Sequence, residues 1–360
     1  MINTPIHRIL ELMQEPSWQD LAVAWPHSQA MQTCMQDPVF HAEGDVWTHT
    51  RMVYDSLDSP TDILAATALY HDVAKPQTRS EIENQDRIRI SHPHHSRLGA
   101  GIWLKDAHEH NWLSFEERRS VYWLIQHHQR VFHLWSKQNM LWEAERIHAD
   151  VNIHALIDFA LADNQGRVCD YNHNTREDLL LLKEWCDENL INWQNTEHRF
   201  SWINNSHRDP NFVPPHPQGS RAMIMCGMPG SGKDTHIRTH LPHLPMVSMD
   251  QIRQDLKIDP IDNQGRASQA AQEQARVHLR KKQDFIWNAT SLTRLTREKI
   301  IQLCRDYDAH VTICVLGTPW QECVARNNKR KDPVPMNVML GMLDKWEVPS
   351  YSEAHKIEWI

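Results

Sequence analysis

Nowhere in its 360 residues does this chain hold an apolar run long enough to span a bilayer. That excludes a transmembrane helix. Its opening Met1-Ile-Asn-Thr-Pro lacks the charged-then-apolar pattern of an export signal, so a cytoplasmic protein with no membrane association is expected. The seven cysteines, at 34, 169, 186, 226, 304, 314 and 323, include no Cys-x-x-Cys pair. Neither a disulfide framework nor a zinc knuckle is suggested, and reduced thiols are expected. Internal repeats are absent too. Before about residue 220 no stretch alternates apolar and polar residues in the manner of a half-buried strand.

What is present is unevenly charged. Residues 219–360 carry 20 Lys and Arg against 16 Asp and Glu, whereas residues 1–218 carry 18 against 30. So acidic an N-terminal half argues against broad adhesion to nucleic acid there. The mildly basic C-terminal half permits a polyanionic substrate without demanding one. Histidine is abundant, with 25 copies, many of them within residues 41–133. Such an excess can mark metal sites, although scattered surface histidine accounts for most copies, among them His92, His94 and His133.

The length suits two domains. Residues 1–40 are expected to form one or two helices. From Asp45, Val46, Val53, Leu57, Ile63, Leu64, Ala68 and Leu69 recur mostly at helical spacing, and Pro76 is expected to stop the helix that carries His71 and Asp72. Further helices are expected near 96–109, 115–130, 141–163 and 175–194. Residues 1–204 therefore read as an all-α bundle. Segment 205–220 has four prolines and no periodicity, which makes it the linker. Beyond it the grammar changes. Arg221–Cys226, Lys282–Trp287 and His310–Leu316 are short buried-strand runs with helical stretches between them. Residues 221–360 thus read as an α/β domain with a parallel sheet.

Two constellations carry chemistry. In the first, His71 and Asp72 are adjacent. On a helix they cannot face one way, but near a helix end both can lean toward one ion. A third ligand must come from the preceding helix, at His49, and a fourth from a later one, at Asp163. Mixed imidazole and carboxylate donors suit a divalent first-row ion such as Mn, Fe, Co, Ni or Zn, able to activate a water and to withdraw charge from a phosphate oxygen.

The second constellation is Gly227-Met-Pro-Gly230-Ser231-Gly232-Lys233-Asp234-Thr235, directly after a strand run. Glycines there free backbone N–H groups to face a polyphosphate, and Lys233 reaches the β- and γ-phosphates of ATP or another NTP. The residue after the lysine is Asp234 where Ser or Thr usually meets Mg²⁺, and Thr235 follows. Adenylate-kinase-like loops show a comparable shift, so either residue can serve the ion. Downstream, Val247–Arg253 places Asp250 at the end of a strand, where open α/β sheets bind ligands. A carboxylate there can accept a proton from an attacking hydroxyl, and Arg253 can bind a phosphate already on the acceptor. Arg326 and Arg330, four apart and followed by Pro-Val-Pro, are expected on one face of a helical lid over the donor phosphates. A capping Asp250 and a merely solvated basic helix are the competing readings. Trp103, Trp123 and Trp142 fall in predicted helices and are expected in the core.

Five ordered segments deepen the first reading: Gly44–Thr50, Ala68–Pro76, His95–Ala100, Leu124–His128 and Leu161–Arg167. Together they resemble the HD superfamily of phosphohydrolases, in particular the HD domains of some tRNA nucleotidyltransferases. That resemblance implies His49, His71, Asp72 and Asp163 as metal ligands. It also implies that Lys75, His95, His127 or His128, and Arg167 line the phosphate site or hold a second metal. Between the two histidines, His128 is preferred for its place one turn after Leu124.

Residues 220–350 are similar to the kinase domain of 5′-hydroxyl polynucleotide kinases: the glycine loop, Asp250-x-x-Arg253, Asn288-Ala-Thr-Ser-Leu with Arg297 downstream, and Arg326-x-x-x-Arg330 before Pro-Val-Pro. The resemblance implies Lys233 on the donor phosphates, Asp250 as general base, Arg253 on the acceptor's phosphate, and Arg326 with Arg330 as NTP clamp. Asn288 stands where related kinases often have Asp. An HD module followed by this kinase module resembles bacterial bifunctional enzymes that heal broken RNA or DNA ends, with a separate ligase as functional partner. Two other functions fit the same motifs. One is an HD nucleotidase or cyclic phosphodiesterase fused to a small-molecule kinase. The other is a non-catalytic nucleotide sensor, which would have no use for both Asp250 and a full ligand set.

Overall fold

The computed structural model describes residues 18–83, 87–170, 172–193, 195–205, 209–213, 215–259 and 264–360. Of the span 1–40 expected to be helical, residues 1–17 lie outside the described residues, as do 206–208 and 214 of the Pro-rich segment, while Trp18–Ala24 and Ser28–Gln32 are helices. The chain forms two compact units, one ending at Ile191 and the other beginning at Asn192. Among the described residues no helix is long and apolar enough to cross a membrane.

Helices build the first unit: Val46–Asp55, Asp62–Tyr70, His95–Glu109, Phe115–His127, Met140–Asp150, Ile153–Gln165 and Asn172–Asn189. Short polar side chains start several of them. Asp45 accepts from the Thr48 N–H, Thr61 from Leu64, and Ser114 with Glu117 forms a reciprocal capping box. Each cap contributes about 1 kcal/mol. Leu124, Val131, Ile147, Ile153, Leu156, Ile157, Leu179 and Leu182 interlock in one core. Trp103 and Trp123 are buried as expected, while Trp142 is half-buried with the Arg146 guanidinium 4.5 Å from its ring.

Three details depart from the sequence reading. Helix Asp62–Tyr70 ends before the His71–Asp72 doublet, and Pro76 sits in the first turn of a new short helix, Lys75–Thr78. A proline costs nothing at that place, because its missing N–H has no partner to lose. The single helix expected over 141–163 is two, because Val151 is extended and Asn152 caps the second through the His154 N–H. An antiparallel hairpin, β1 (Ser80–Glu83) with β2 (Ile88–Ser91), joins the otherwise helical unit. Its residues are mostly exposed, so no core-facing alternation announced it.

The second unit is built on a five-stranded sheet of β3 (Arg221–Cys226), β4 (Met246–Ser248), β5 (Phe285–Asn288), β6 (His310–Val315) and β7 (Lys356–Trp359), in the order β4-β5-β3-β6-β7. Every pairing is parallel. All six residues of β6 are buried, as helices on both faces of a parallel sheet require. β5 begins at Phe285 rather than Lys282, and β7 was not expected. Helix Thr196–Ile203 also belongs here, where the expected domain limit of 204 had put it with the first unit. Glu197 bonds His310 at 3.0 Å, Asn204 Nδ2 donates to Ser352 O, and the Phe200 ring meets His355. Arg297, fully buried, ties the C-terminal segment down. It pairs with both oxygens of Glu353 and donates to the carbonyls of Ser291, Leu292 and Glu347.

Candidate functional sites

In the first unit five helix ends converge. His71 and His128 are the C-cap residues of helices Asp62–Tyr70 and Phe115–His127, where backbone carbonyls lack helical partners. Each imidazole satisfies one: His71 Nδ1 donates to Ala68 O at 2.8 Å, and His128 Nδ1 to Ile125 O at 2.8 Å. His95 Nδ1 does the same to His92 O at 2.7 Å. His49 Nδ1 faces Gly166 O at 3.1 Å and Glu43 Oε1 at 3.0 Å. With Nδ1 engaged in this way, each ring turns its Nε2 inward.

Asp72 lies at the centre. Its Oδ2 is 3.1 Å from His71 Nε2 and 3.6 Å from His49 Nε2, and Asp163 Oδ1 is 3.2 Å from His49 Nε2. Its Oδ1 is 3.3 Å from His95 Nε2 and 3.8 Å from His128 Nε2, which are 3.2 Å from each other. Donors bonded to one ion at about 2.1 Å stand about 3.0–3.4 Å apart, so both sets have the spacing of a coordination shell. His49, His71 and Asp72 form one such group among the described residues, and Asp72, His95 and His128 another. His49 Nε2, His71 Nε2, both Asp72 oxygens and Asp163 Oδ2 are buried without a hydrogen bond of proper geometry. Buried lone pairs facing one another are costly unless a cation lies between them. The donor set therefore fits a divalent transition ion, and Asp72 can bridge two.

Charge is balanced from nearby. Lys75 Nζ meets Asp72 Oδ2 at 2.6 Å and Gln36 Oε1 at 2.6 Å, and Arg167 meets Asp163 at 3.2 Å. Burial would raise both aspartates, but His71 and Lys75 beside Asp72, and Arg167 and His49 beside Asp163, hold them well below the usual carboxylate range. Burial, then the neighbouring His95 and His71, lowers His128 to about 3, so it is a neutral donor at any physiological pH. His127 points elsewhere, to Asp150 at 3.2 Å and flat against Trp123. His94 and His133 are exposed. His92 is not solvated surface: it is half-buried, donates from Nδ1 to Lys75 O, and offers its own carbonyl to His95. Sequence reasoning also missed His41 and Glu43. Glu43 takes His41 Nδ1 at 2.7 Å and His49 Nδ1 at 3.0 Å, which locks the His49 ring.

The second unit places the glycine loop between β3 and helix Lys233–His240. Gly230 and Gly232 have φ of +78° and +93°. A Cβ at Gly230 would collide with the Cys323 carbonyl, so this glycine is required twice over. Lys233 folds back onto the loop, donating to Gly227 O and Met228 O at 2.8 Å each and lying 3.4 Å from Ser231 Oγ. Desolvation of the ammonium lowers its pKa to about 8, against the pull of Asp234 and Asp250. Asp234 and Thr235 follow in the first turn and are exposed.

Asp250 sits in the first turn of helix Met249–Leu256, just past β4 rather than on it. Arg253 NH1 holds its Oδ1 at 2.7 Å, and Gln264 holds Arg253 Nε at 2.7 Å. Arg326 lies over the loop, its NH1 3.3 Å from where a Gly232 Cβ would be, and pairs with Glu322. Arg330 does not share its helix face. Helix Trp320–Asn328 ends first, because buried Asn327 exchanges two hydrogen bonds with the Val334 backbone and turns the chain. That turn carries Arg330 NH2 to within 3.8 Å of Asp250 Oδ2.

Comparison with known families agrees with this division. No curated protein matches the chain as a relative. Residues 45–164 match the HD domain and residues 223–349 the AAA domain. The chain thus carries, in this order, a region that matches the HD domain and one that matches a P-loop kinase-like AAA domain.

Proposed function

We propose that this protein heals broken nucleic-acid ends, RNA foremost, by phosphorylating 5′-OH termini and removing 2′,3′-cyclic phosphate or 2′/3′-phosphate from the opposite ends. In the kinase unit, Lys233 exchanges its carbonyl partners for the β- and γ-phosphates of an Mg²⁺-bound NTP. Asp250 accepts the proton of the terminal 5′-hydroxyl as its oxygen bonds the γ-phosphorus and the bond to the departing NDP breaks. Arg253 binds the acceptor's adjacent phosphate, and Arg326 with Arg330 braces the donor.

In the HD unit, His49, His71, Asp72 and Asp163 would hold one ion, and Asp72, His95 and His128 could hold a second. When bound, such ions supply a water of lowered pKa and a Lewis acid for a phosphate oxygen. Lys75 and Arg167 keep Asp72 and Asp163 ionised and add positive charge for the phosphate. Transesterification leaves the two termini that these chemistries repair. A separate ligase then joins them.

One observation carries the reading: Asp250 has a guanidinium on one oxygen and a second near the other, beside the glycine loop. That suits an acceptor whose reacting hydroxyl neighbours a phosphate. A nucleoside or metabolite kinase fused to an HD nucleotidase is favoured instead by the modest charge of residues 219–360, 20 basic against 16 acidic. Phosphoryl transfer from ATP to a 5′-OH oligonucleotide, to nucleosides and to nucleoside 3′-monophosphates separates the two. We expect kcat/KM for the oligonucleotide to exceed that for a nucleoside by roughly 100-fold or more. Equal values would favour the small-molecule kinase.

A further inference from the structure

In P-loop enzymes a Ser or Thr hydroxyl after the lysine meets Mg²⁺, and an Asp from a neighbouring strand helps hold the ion. Here the carboxylate stands at the other position, and a carboxamide takes its usual place. Asp234 follows Lys233 in the first turn of its helix. Asn288 closes β5, the strand paired directly with β3. The two meet: Asn288 Nδ2 donates to Asp234 Oδ1 at 2.7 Å, and lies 3.4 Å from Met246 Sδ.

We propose that Asp234 is the side chain that holds the kinase Mg²⁺, and that Asn288 is its neutral positioning partner, with the carboxylate moved to the place the hydroxyl usually takes. This rests on the kinase reading above. The chemistry is self-consistent. A carboxylate has no proton to give, so Asn288 must turn its NH₂ toward it. Asn288 is buried and fixed, while Asp234 is exposed, and among the described residues no group bonds its Oδ2. One oxygen is thereby pinned and the other left for a hard cation, which favours an anionic oxygen. An Asp at 288 facing Asp234 across the same distance would set two carboxylates against each other. Neither position can change alone without loss. Charge at a helix N-terminus also stabilises the helix, which on its own would explain Asp234 but not its bond to the end of β5.

The test is a reciprocal exchange read by calorimetric ATP binding, in Mg²⁺ and in EDTA, on the full chain. The gain in ATP affinity conferred by Mg²⁺ should fall about tenfold or more in Asp234→Thr and in Asn288→Asp. It should return to within about threefold of the wild type in the double variant Asp234→Thr/Asn288→Asp, the coupling expected of contacting residues. In EDTA, Asp234→Thr should bind ATP at least as tightly as the wild type, since an anion near the phosphates is gone; this also reports an intact loop. If Asp234→Thr keeps the full Mg²⁺ gain, or the double variant is no better than the worse single one, the inference is overturned. A wild type that binds no ATP in either buffer overturns the kinase reading and the inference with it.

Discussion

The Nε2 atoms of His95 and His128 lie 3.2 Å apart while both Nδ1 atoms donate to the carbonyl three residues earlier. Both Nε2 atoms also face Asp72 Oδ1, at 3.3 and 3.8 Å, the placement that a shared cation would favour.

Metal content follows. The wild-type protein loaded with Mn²⁺ should carry two ions per chain by elemental analysis. His95→Ala or His128→Ala should carry about one, and Asp72→Ala fewer than one, because only Asp72 belongs to both sets. One ion in the wild type, or two in His128→Ala, would rule out the shared carboxylate.

Loss of the Asp250 carboxylate should slow phosphorylation of a 5′-OH oligonucleotide roughly 10²- to 10⁴-fold in kcat, with the KM for ATP little changed. Arg253→Ala should instead raise the KM for the acceptor. A normal rate for Asp250→Ala in rapid-quench assays would remove the general base.

How much of this was legible beforehand differs by length scale. His49, His71, Asp72 and Asp163 could be named because each lies in its own local context, and the glycine loop because it must follow a strand. What local context cannot supply is the partner. Glu43 reaches His49 through a fold-level contact, and nothing in Glu43's neighbours marks it. Arg330 looked like the helical neighbour of Arg326 until Asn327 turned the chain. The exposed hairpin has no buried face to impose a period. Asp234 and Asn288 each departed from an expected residue type, but only the sheet order makes them one feature. Proline misled differently: Pro76 was read as a stop and is a start.

Acid stability should depend on His108. It is buried, its Nδ1 accepts from Arg118 NH1 at 2.9 Å, and burial followed by the Arg118 charge lowers its pKa to about 3. Between that value and about 6.5 the unfolded chain binds the extra proton, so stability is present above pH 6.5 and lost as pH falls. The contribution lost by pH 5 is about 2 kcal/mol. Urea unfolding of His108→Gln, which keeps an acceptor for Arg118, should show a correspondingly smaller drop between pH 7 and pH 5. An unchanged drop would mean that His108 is already protonated in the fold.

Removing one partner of the buried Arg297–Glu353 pair should cost about 3–5 kcal/mol, because the other charge is left stranded. Thermal unfolding of Glu353→Ala should show this as a fall in Tm. A Tm within a degree or two of the wild type would show that Arg297 finds other acceptors.

The most direct measurement gives the protein an RNA with a 5′-OH and a 2′,3′-cyclic phosphate, with ATP, Mg²⁺ and Mn²⁺, and maps both ends by mass spectrometry. We expect 5′-phosphate and a free 2′,3′-diol from the wild type. Asp250→Ala should convert only the cyclic end, and Asp72→Ala only the 5′ end. Were neither end altered by the wild type, or both activities abolished together by either single substitution, the account of two independent phosphate chemistries in one chain would be contradicted.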